Sequence, residues 1–148
     1  EPKIIGVTVL TSSNDENLQE IGIKTKTQDQ VLKLAHLASR CGLDGVVASP
    51  QEVKTIRQEI ENKRFLIVTP GIRPASFDDS KAESSDDQKR IMTPAEAIQA
   101  GSDYVVIGRP ILKSKNLVSS VKEIIAEIDN PPEQTGDAKV LEFAKQKG

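Results

Sequence analysis

Four short apolar runs, each followed by a polar loop and a stretch of helical periodicity, set the rhythm of this chain. The first run spans Ile4 to Leu10 and ends in the turn Thr11-Ser12-Ser13-Asn14-Asp15. A short helix is expected over Asp15 to Glu20, then a longer one over Thr27 to Arg40. Val31, Leu34, Ala35 and Ala38 fall on one face of that longer helix. Gly42 stands where a left-handed glycine would close it. The second run, Gly45 to Ala48, leads into Ser49-Pro50, the pattern of a capping serine and a first-turn proline. The helix it announces, Gln51 to Asn62, would bury Val53, Ile56 and Ile60. The third run, Phe65 to Thr69, stops at Pro70-Gly71. Thr93-Pro94-Ala95-Glu96 repeats the cap-then-proline pattern for a helix reaching Ala100, with Gly101 as its stop. The fourth run, Tyr104 to Ile107, is followed by Gly108-Arg109-Pro110 and a helix over Val118 to Ile128.

Strands without polar alternation, separated by helices, imply a parallel sheet covered by helices. Four such βα units fit either a small doubly wound domain or half of an eight-stranded (β/α)₈ barrel. No run is followed by GxGxxG or GxxxxGK, so neither nucleotide fingerprint is present. Thr11, Ser49, Arg73 and Arg109 all follow strand C-termini, the face on which barrels assemble their sites. That favours an α/β TIM barrel, with this chain supplying four units as residues 1–129. Half a barrel exposes two sheet edges, so a second half is expected to cover them. The first strand begins within three residues of Glu1, with no initiator Met, which suggests a fragment, a processed product or an artificial boundary. After the break at Asn130-Pro131-Pro132-Glu133, residues 130–148 read as a loosely attached tail with a short helix over Val140 to Lys147.

Composition narrows the function. Lys and Arg total 20 against 22 Asp and Glu, for a net charge of -2. With no Trp, one Tyr and no basic run, nucleic-acid binding is not expected. The balanced charge and the shortness of every apolar run argue against a membrane partner. The single cysteine, Cys41, allows no internal disulfide and fits a reducing, cytoplasmic setting. It is expected as a buried or half-buried filler near a helix end. His36 falls on the polar side of its helix. One His and one Cys give no zinc cluster, and no Cys-His or Ser-His-Asp arrangement is evident.

The chemistry is concentrated in Thr69-Pro70-Gly71-Ile72-Arg73-Pro74, Asp87-Gln88-Lys89-Arg90 and Val105-Val106-Ile107-Gly108-Arg109-Pro110. Glycine permits close backbone approach to a ligand, and the guanidinium fork suits phosphate oxygens. Arg109 therefore reads as a phosphate ligand, against a structural pairing with Asp103 or a loop acid. Gly71 and Arg73 read the same way, against a Pro-Gly turn with a surface arginine. Gln88 is able to close over a phosphate or a base, or is simply a polar loop residue. Thr11 is suited to a ligand edge or to a turn, whereas Ser49 reads as a helix cap and not a nucleophile. The acidic loop from Pro74 to Lys89 fits a solvated linker, a lid or, less well, a cation site, since its acids lack EF-hand spacing.

Five ordered motifs then carry a resemblance. They are Val7-Thr8-Val9-Leu10-Thr11-Ser12, the segment Gly42 through Glu52, Val68 through Pro74, Asp87 through Pro94, and Gly108-Arg109-Pro110-Ile111. Together, over residues 4 to 128, they closely resemble the C-terminal half, strands five to eight, of bacterial-type orotidine 5′-phosphate decarboxylase. That family is a homodimeric (β/α)₈ barrel that converts orotidine 5′-monophosphate to UMP and CO₂ without metal or organic cofactor. The resemblance implies that Thr11 contacts the pyrimidine region, and that Arg73, Gln88, Gly108 and Arg109 form the ligand and phosphate grip. It also implies that the catalytic Asp/Lys network lies in early strands preceding Glu1. No Asp-x-Lys-x-x-Asp run occurs here, and Lys24, Lys26 and Lys63 do not sit at strand ends. The expected partners are therefore the substrate and an N-terminal half of the barrel. The alternatives are a non-catalytic UMP-binding half-barrel and a barrel enzyme acting on a sugar phosphate.

Overall fold

A computed structural model describes residues 1–74, 77 and 92–131. The elements run β1 (Ile5–Val7), α1 (Asp15–Glu20), α2 (Thr27–Arg40), β2 (Gly45–Val47), α3 (Val53–Glu59), β3 (Leu66–Thr69), α4 (Pro94–Ala100), β4 (Tyr104–Val105), α5 (Arg109–Leu112) and α6 (Leu117–Asp129). The four strands lie in sequence order, β1-β2-β3-β4, and every pairing is parallel. All strand C-termini therefore emerge on one rim. This is the four-unit βα architecture expected of part of a TIM barrel.

Register assigns the two faces. Val46 pairs with Ile67 and Gly6, and Thr69 pairs with Val105. Val46, Ile67 and Thr69 are fully buried beneath the helices, in a core with Val31, Ala35, Val53, Ile56 and Phe65. The intervening row, Val7-Val47-Val68-Tyr104, points to the other side. At its two ends Val7 is 62% and Tyr104 58% exposed. The sheet is thus packed on one face and open on the other.

Local chemistry explains the helix ends. Gly42 adopts φ 77°, the Gly42 amide donates to Ser39 O and the Leu43 amide to Ala38 O. This pairing satisfies the last carbonyls of α2. Gly101 at φ 109° closes α4 with the same pair of bonds, from Gly101 N to Ile98 O and Ser102 N to Ala97 O. Thr93 caps α4 in a reciprocal box with Glu96. The cap of α2 is not local: the Asp15 carboxylate of α1 accepts from the Thr27 amide at 2.7 Å and its hydroxyl at 2.6 Å.

Several expectations are corrected. α3 starts at Val53 and ends at Glu59, shorter than the expected Gln51 to Asn62. Ser49 is no helix cap. Its carbonyl accepts from the Glu52 amide in a tight turn, and Glu52 precedes the helix. β1 and β4 are shorter than their apolar runs because each is a sheet edge, paired on one side among the described residues. Cys41 is exposed, not a filler, since the chain turns outward through Gly42 just after α2. The one-turn α5 had no helical periodicity to announce it. Among the described residues, no helix is long and apolar enough to cross a membrane.

Candidate ligand-binding site

The rim is built most completely where β3 and β4 end. The Val106 amide donates to Thr69 O at 2.8 Å, carrying the β3–β4 seam past β4 and holding the two exits together. Behind them the Thr69 and Ser102 hydroxyls hydrogen-bond at 2.6 Å, both buried, and the Ser102 hydroxyl also donates toward Tyr104 O at 3.0 Å. A buried hydroxyl pair with every oxygen engaged fixes the spacing of two strands more tightly than apolar contact alone.

From β3 the chain turns at Gly71, whose φ of 75° suits glycine. Ile72 then anchors in the core at 2% exposure, and Arg73 follows with only 8% of its surface exposed. The Arg73 amide donates to Met92 O at 3.3 Å, joining the two ends of the long acidic loop. Arg73 is therefore not the surface residue of the plain Pro-Gly-turn reading. From β4, Gly108 begins the turn into α5, and Arg109 is its first residue, exposed at the rim. Gly108 has φ -109°, which any residue adopts, and an added Cβ would meet nothing within 4 Å. The space beside Gly108 is therefore open.

Asp103 is not the partner of Arg109. Its carboxylate pairs with Arg57 and accepts from the Ile67 amide at 2.7 Å, at the opposite end of the strands. Pro74 and Pro110, each directly following its arginine, line a common cleft of about 330 Å³. Phe77, Lys113, Lys115, Asn116 and Ser119 complete much of its wall, with one acid, Glu123, against the two lysines. The structure thus brings the prolines that follow Arg73 and Arg109 to one cleft, whose wall includes neither arginine. The pair Lys113 and Lys115 escaped the sequence reading, although two cations within seven residues of Arg109 were visible there.

Thr11 lies elsewhere on the rim. It is exposed in the turn closed by Ser13 N to Leu10 O at 2.9 Å. Three strand spacings, about 14 Å at ~4.8 Å each, separate β1 from β4. Gln88 and most of the acidic loop lie outside the described residues, as does the expected tail helix. A larger cleft of about 580 Å³ lies among the starts of α1 and α2 and the turn after β2, where three acids, Asp15, Glu16 and Glu52, outnumber the one lysine, Lys26, a less favourable lining for a phosphate. His36 is half-exposed on α2, 3.9 Å from Glu59, remote in the fold from the strand ends. Among the described residues, no three His, Cys, Asp or Glu side chains group as a metal site.

Comparison with known proteins decides the lineage. Residues 1–124 match the model of the orotidine 5′-phosphate decarboxylase / HUMPS family. The chain belongs to that family. A protein of Geotalea daltonii named orotidine 5′-phosphate decarboxylase is 55% identical over 126 residues, covering 85% of this chain and 50% of the relative. One of the same name from Geobacter sp. strain M21 is 56% identical over 127 residues, covering 86% and 50%. The crystal structure of orotidine 5′-phosphate decarboxylase from Lactobacillus acidophilus superposes with a TM-score of 0.69 at 37% identity, over 86% of this chain and 50% of that one. The chain therefore spans about half the length of the relatives it matches.

Proposed function

We propose that this chain is the phosphate-gripping, C-terminal half of an orotidine 5′-monophosphate decarboxylase barrel. In this reading Arg73 and Arg109 hold the ligand phosphate from adjacent strand ends, the Gly108 backbone approaches it closely, and Gln88 closes over it from the long loop. Thr11 meets the pyrimidine at the far side of the rim. The observation that supports the reading is that the two arginines follow adjacent, hydrogen-bonded strands on one rim, and that the prolines directly after them, Pro74 and Pro110, line one cleft. The open space beside Gly108, where an added Cβ would meet nothing within 4 Å, leaves room for that approach. The separation between Thr11 and Arg109 suits an extended nucleotide, with its base and phosphate held at opposite ends.

Binding energy at a phosphate remote from the reacting carbon serves catalysis when it closes and organises the site. Proton delivery to C6 as CO₂ leaves falls to an Asp/Lys network outside this chain. Turnover therefore requires the first four βα units of the barrel as a companion. No metal or organic cofactor is invoked, and the working enzyme is proposed as a cytoplasmic homodimer of complete barrels. A non-catalytic UMP-binding half-barrel is the second reading, favoured by the absence of an Asp-x-Lys-x-x-Asp run from this sequence.

Calorimetric titration with UMP, with and without Arg109→Ala, tests the grip. A charge-assisted hydrogen bond is worth about 1.5–3 kcal/mol, so the variant should bind about 10- to 150-fold more weakly with its circular dichroism unchanged. Equal affinity in two folded proteins would remove Arg109 from the site. Turnover of orotidine 5′-monophosphate after adding the first half of a family barrel separates the decarboxylase reading from the binding-only one.

A further inference from the structure

We infer that Thr69 and Ser102 are positioning residues for the phosphate grip, their buried hydroxyls setting the spacing at which Arg73 and Arg109 leave the sheet. The inference rests on the proposed grip and adds the residues that hold its two arms in place. Thr69 and Val105 form the last registered pair of the β3–β4 seam, and each arginine stands four residues past its member of that pair. Whatever fixes this rung therefore fixes the origin of both arms. Two bonds do so. In the plane of the sheet, the Val106 amide donates to Thr69 O at 2.8 Å. On the packed face, the Thr69 and Ser102 hydroxyls lie 2.6 Å apart, at 0% and 6% residue exposure.

Proton counting gives the pair a direction. Each hydroxyl has one proton to donate. Among the described residues, the Ser102 oxygen is the acceptor for the Thr69 hydroxyl. Ser102 then sends its own proton toward Tyr104 O at 3.0 Å, with Ile67 O beside it at 3.3 Å. The bonds thus run from the end of β3, through Ser102, to the first residue of β4, crossing the seam alongside the backbone ladder. A neutral hydrogen bond adds modest net stability, but it has a preferred length and direction that apolar contact lacks. Beyond the rung, each arm has little freedom in which to absorb an error. Pro70 is restricted in φ, Ile72 is anchored at 2% exposure, and Pro110 is buried directly after Arg109. A shift at the rung is therefore carried to the arginines, and a preorganised grip needs its donors held to within about 0.5 Å.

Thr69→Val tests this on the whole chain, because it keeps the volume, deletes the hydroxyl and leaves Ser102 its acceptor at Tyr104 O. Calorimetry should show UMP bound about 3- to 10-fold more weakly, a fraction of the loss expected for Arg109→Ala. Ser102→Ala breaks the same bond from the other side and should weaken UMP similarly, so the test does not hang on one variant folding. Thr69→Ser, which loses a core methyl but keeps the hydroxyl, should bind as wild type does. A role confined to stability would leave UMP affinity equal in all the folded proteins, and that result overturns the inference. Spacing matters only while both arginines are present. Thr69→Val should therefore cost far less affinity in an Arg109→Ala background, and losses that multiply in full overturn the inference. Hydrogen exchange reads the rung without ligand. The Val106 amide should exchange several-fold faster in Thr69→Val, while the Asp103 amide, bonded to Ile67 O at 3.0 Å, keeps its protection. Unchanged Val106 exchange overturns the inference. UMP affinity lost in Arg109→Ala but intact in Thr69→Val and Ser102→Ala leaves the grip standing and removes the positioning role, whereas a wild type that binds no UMP overturns both.

Discussion

Arg57 joins three parts of the chain that are distant in sequence, and its removal gives a calculable loss. Its Nε donates to Gly101 O at 2.7 Å, one Nη to Phe65 O at 2.5 Å, and the other to the Asp103 carboxylate. One side chain of α3 thereby ties the start of β3 to the end of α4 and the start of β4. Arg57→Met keeps most of the aliphatic stem and deletes all three donors. Each bond to a backbone carbonyl contributes about 1–1.5 kcal/mol net. The Asp103 pair, with side chains 25% and 35% exposed, is screened by solvent and adds only about 0.5–1 kcal/mol. The sum is about 3 kcal/mol. With a urea m-value of ~2 kcal/mol/M, the unfolding midpoint should fall by about 1.5 M. Arg57→Lys should recover less than half of this, because an ammonium cannot reach three acceptors with a planar fork. The clamp sits at the strand N-termini, opposite the arginine rim, so UMP affinity should be unchanged under folding conditions. A midpoint shift below ~0.3 M would show that the three bonds contribute little net. A loss of UMP affinity matching that of Arg109→Ala would refute the separation of clamp and site.

Three further outcomes follow from particular positions. In Gly45→Ala the new Cβ would lie 2.2 Å from Leu66 O inside the β2–β3 seam, so the strands must part. A stability loss of about 1–3 kcal/mol is expected by urea unfolding, and a neutral result would contradict the seam geometry. Gly108→Ala should leave stability within about 0.5 kcal/mol, since its Cβ meets open space, yet weaken UMP binding in calorimetry. Retained affinity would remove the close backbone approach from the site. The Ile4 amide at 2.8 Å, and then Lys3 at 3.0 Å, hold the Asp44 carboxyl below its ordinary pKa. A depressed folded pKa means stabilisation that is complete above the unfolded value and lost as pH falls through the folded one. NMR titration should show the Asp44 midpoint below that of a free aspartate, and Asp44→Asn should remove this part of the acid dependence.

Where the sequence was legible, the signal was local. Thr93 and Glu96 satisfy each other's backbone groups within one turn, so their spacing alone announces α4. Gly42 and Gly101 end their helices because the left-handed conformation there suits glycine. Ser49 shows the limit. Ser49-Pro50-Gln51-Glu52 has the same spacing as Thr93-Pro94-Ala95-Glu96, yet the chain makes a tight turn and the Glu52 side chain is buried at 7% exposure. Equal spacing therefore gave a capped helix at one place and a tight turn at the other. The positions of the two candidate arginines after two strands were legible, but not the geometry around them. Nothing in the spacing of Arg73 said that it would be 8% exposed, or that Pro74 and Pro110 would share a cleft wall.

By itself, then, the sequence determined the order of the strands and of every helix but the one-turn α5, most helix ends, and which candidate residues follow the strand C-termini. These depend on hydrophobic periodicity, caps and side-chain chemistry, all of which act within a few residues of chain. The tertiary structure alone decided that Asp103 belongs to Arg57 across 46 positions, that Asp15 caps α2, and that one sheet face is packed while the other is open. Those outcomes depend on which distant groups a parallel register brings together, and a register is a property of the assembled sheet.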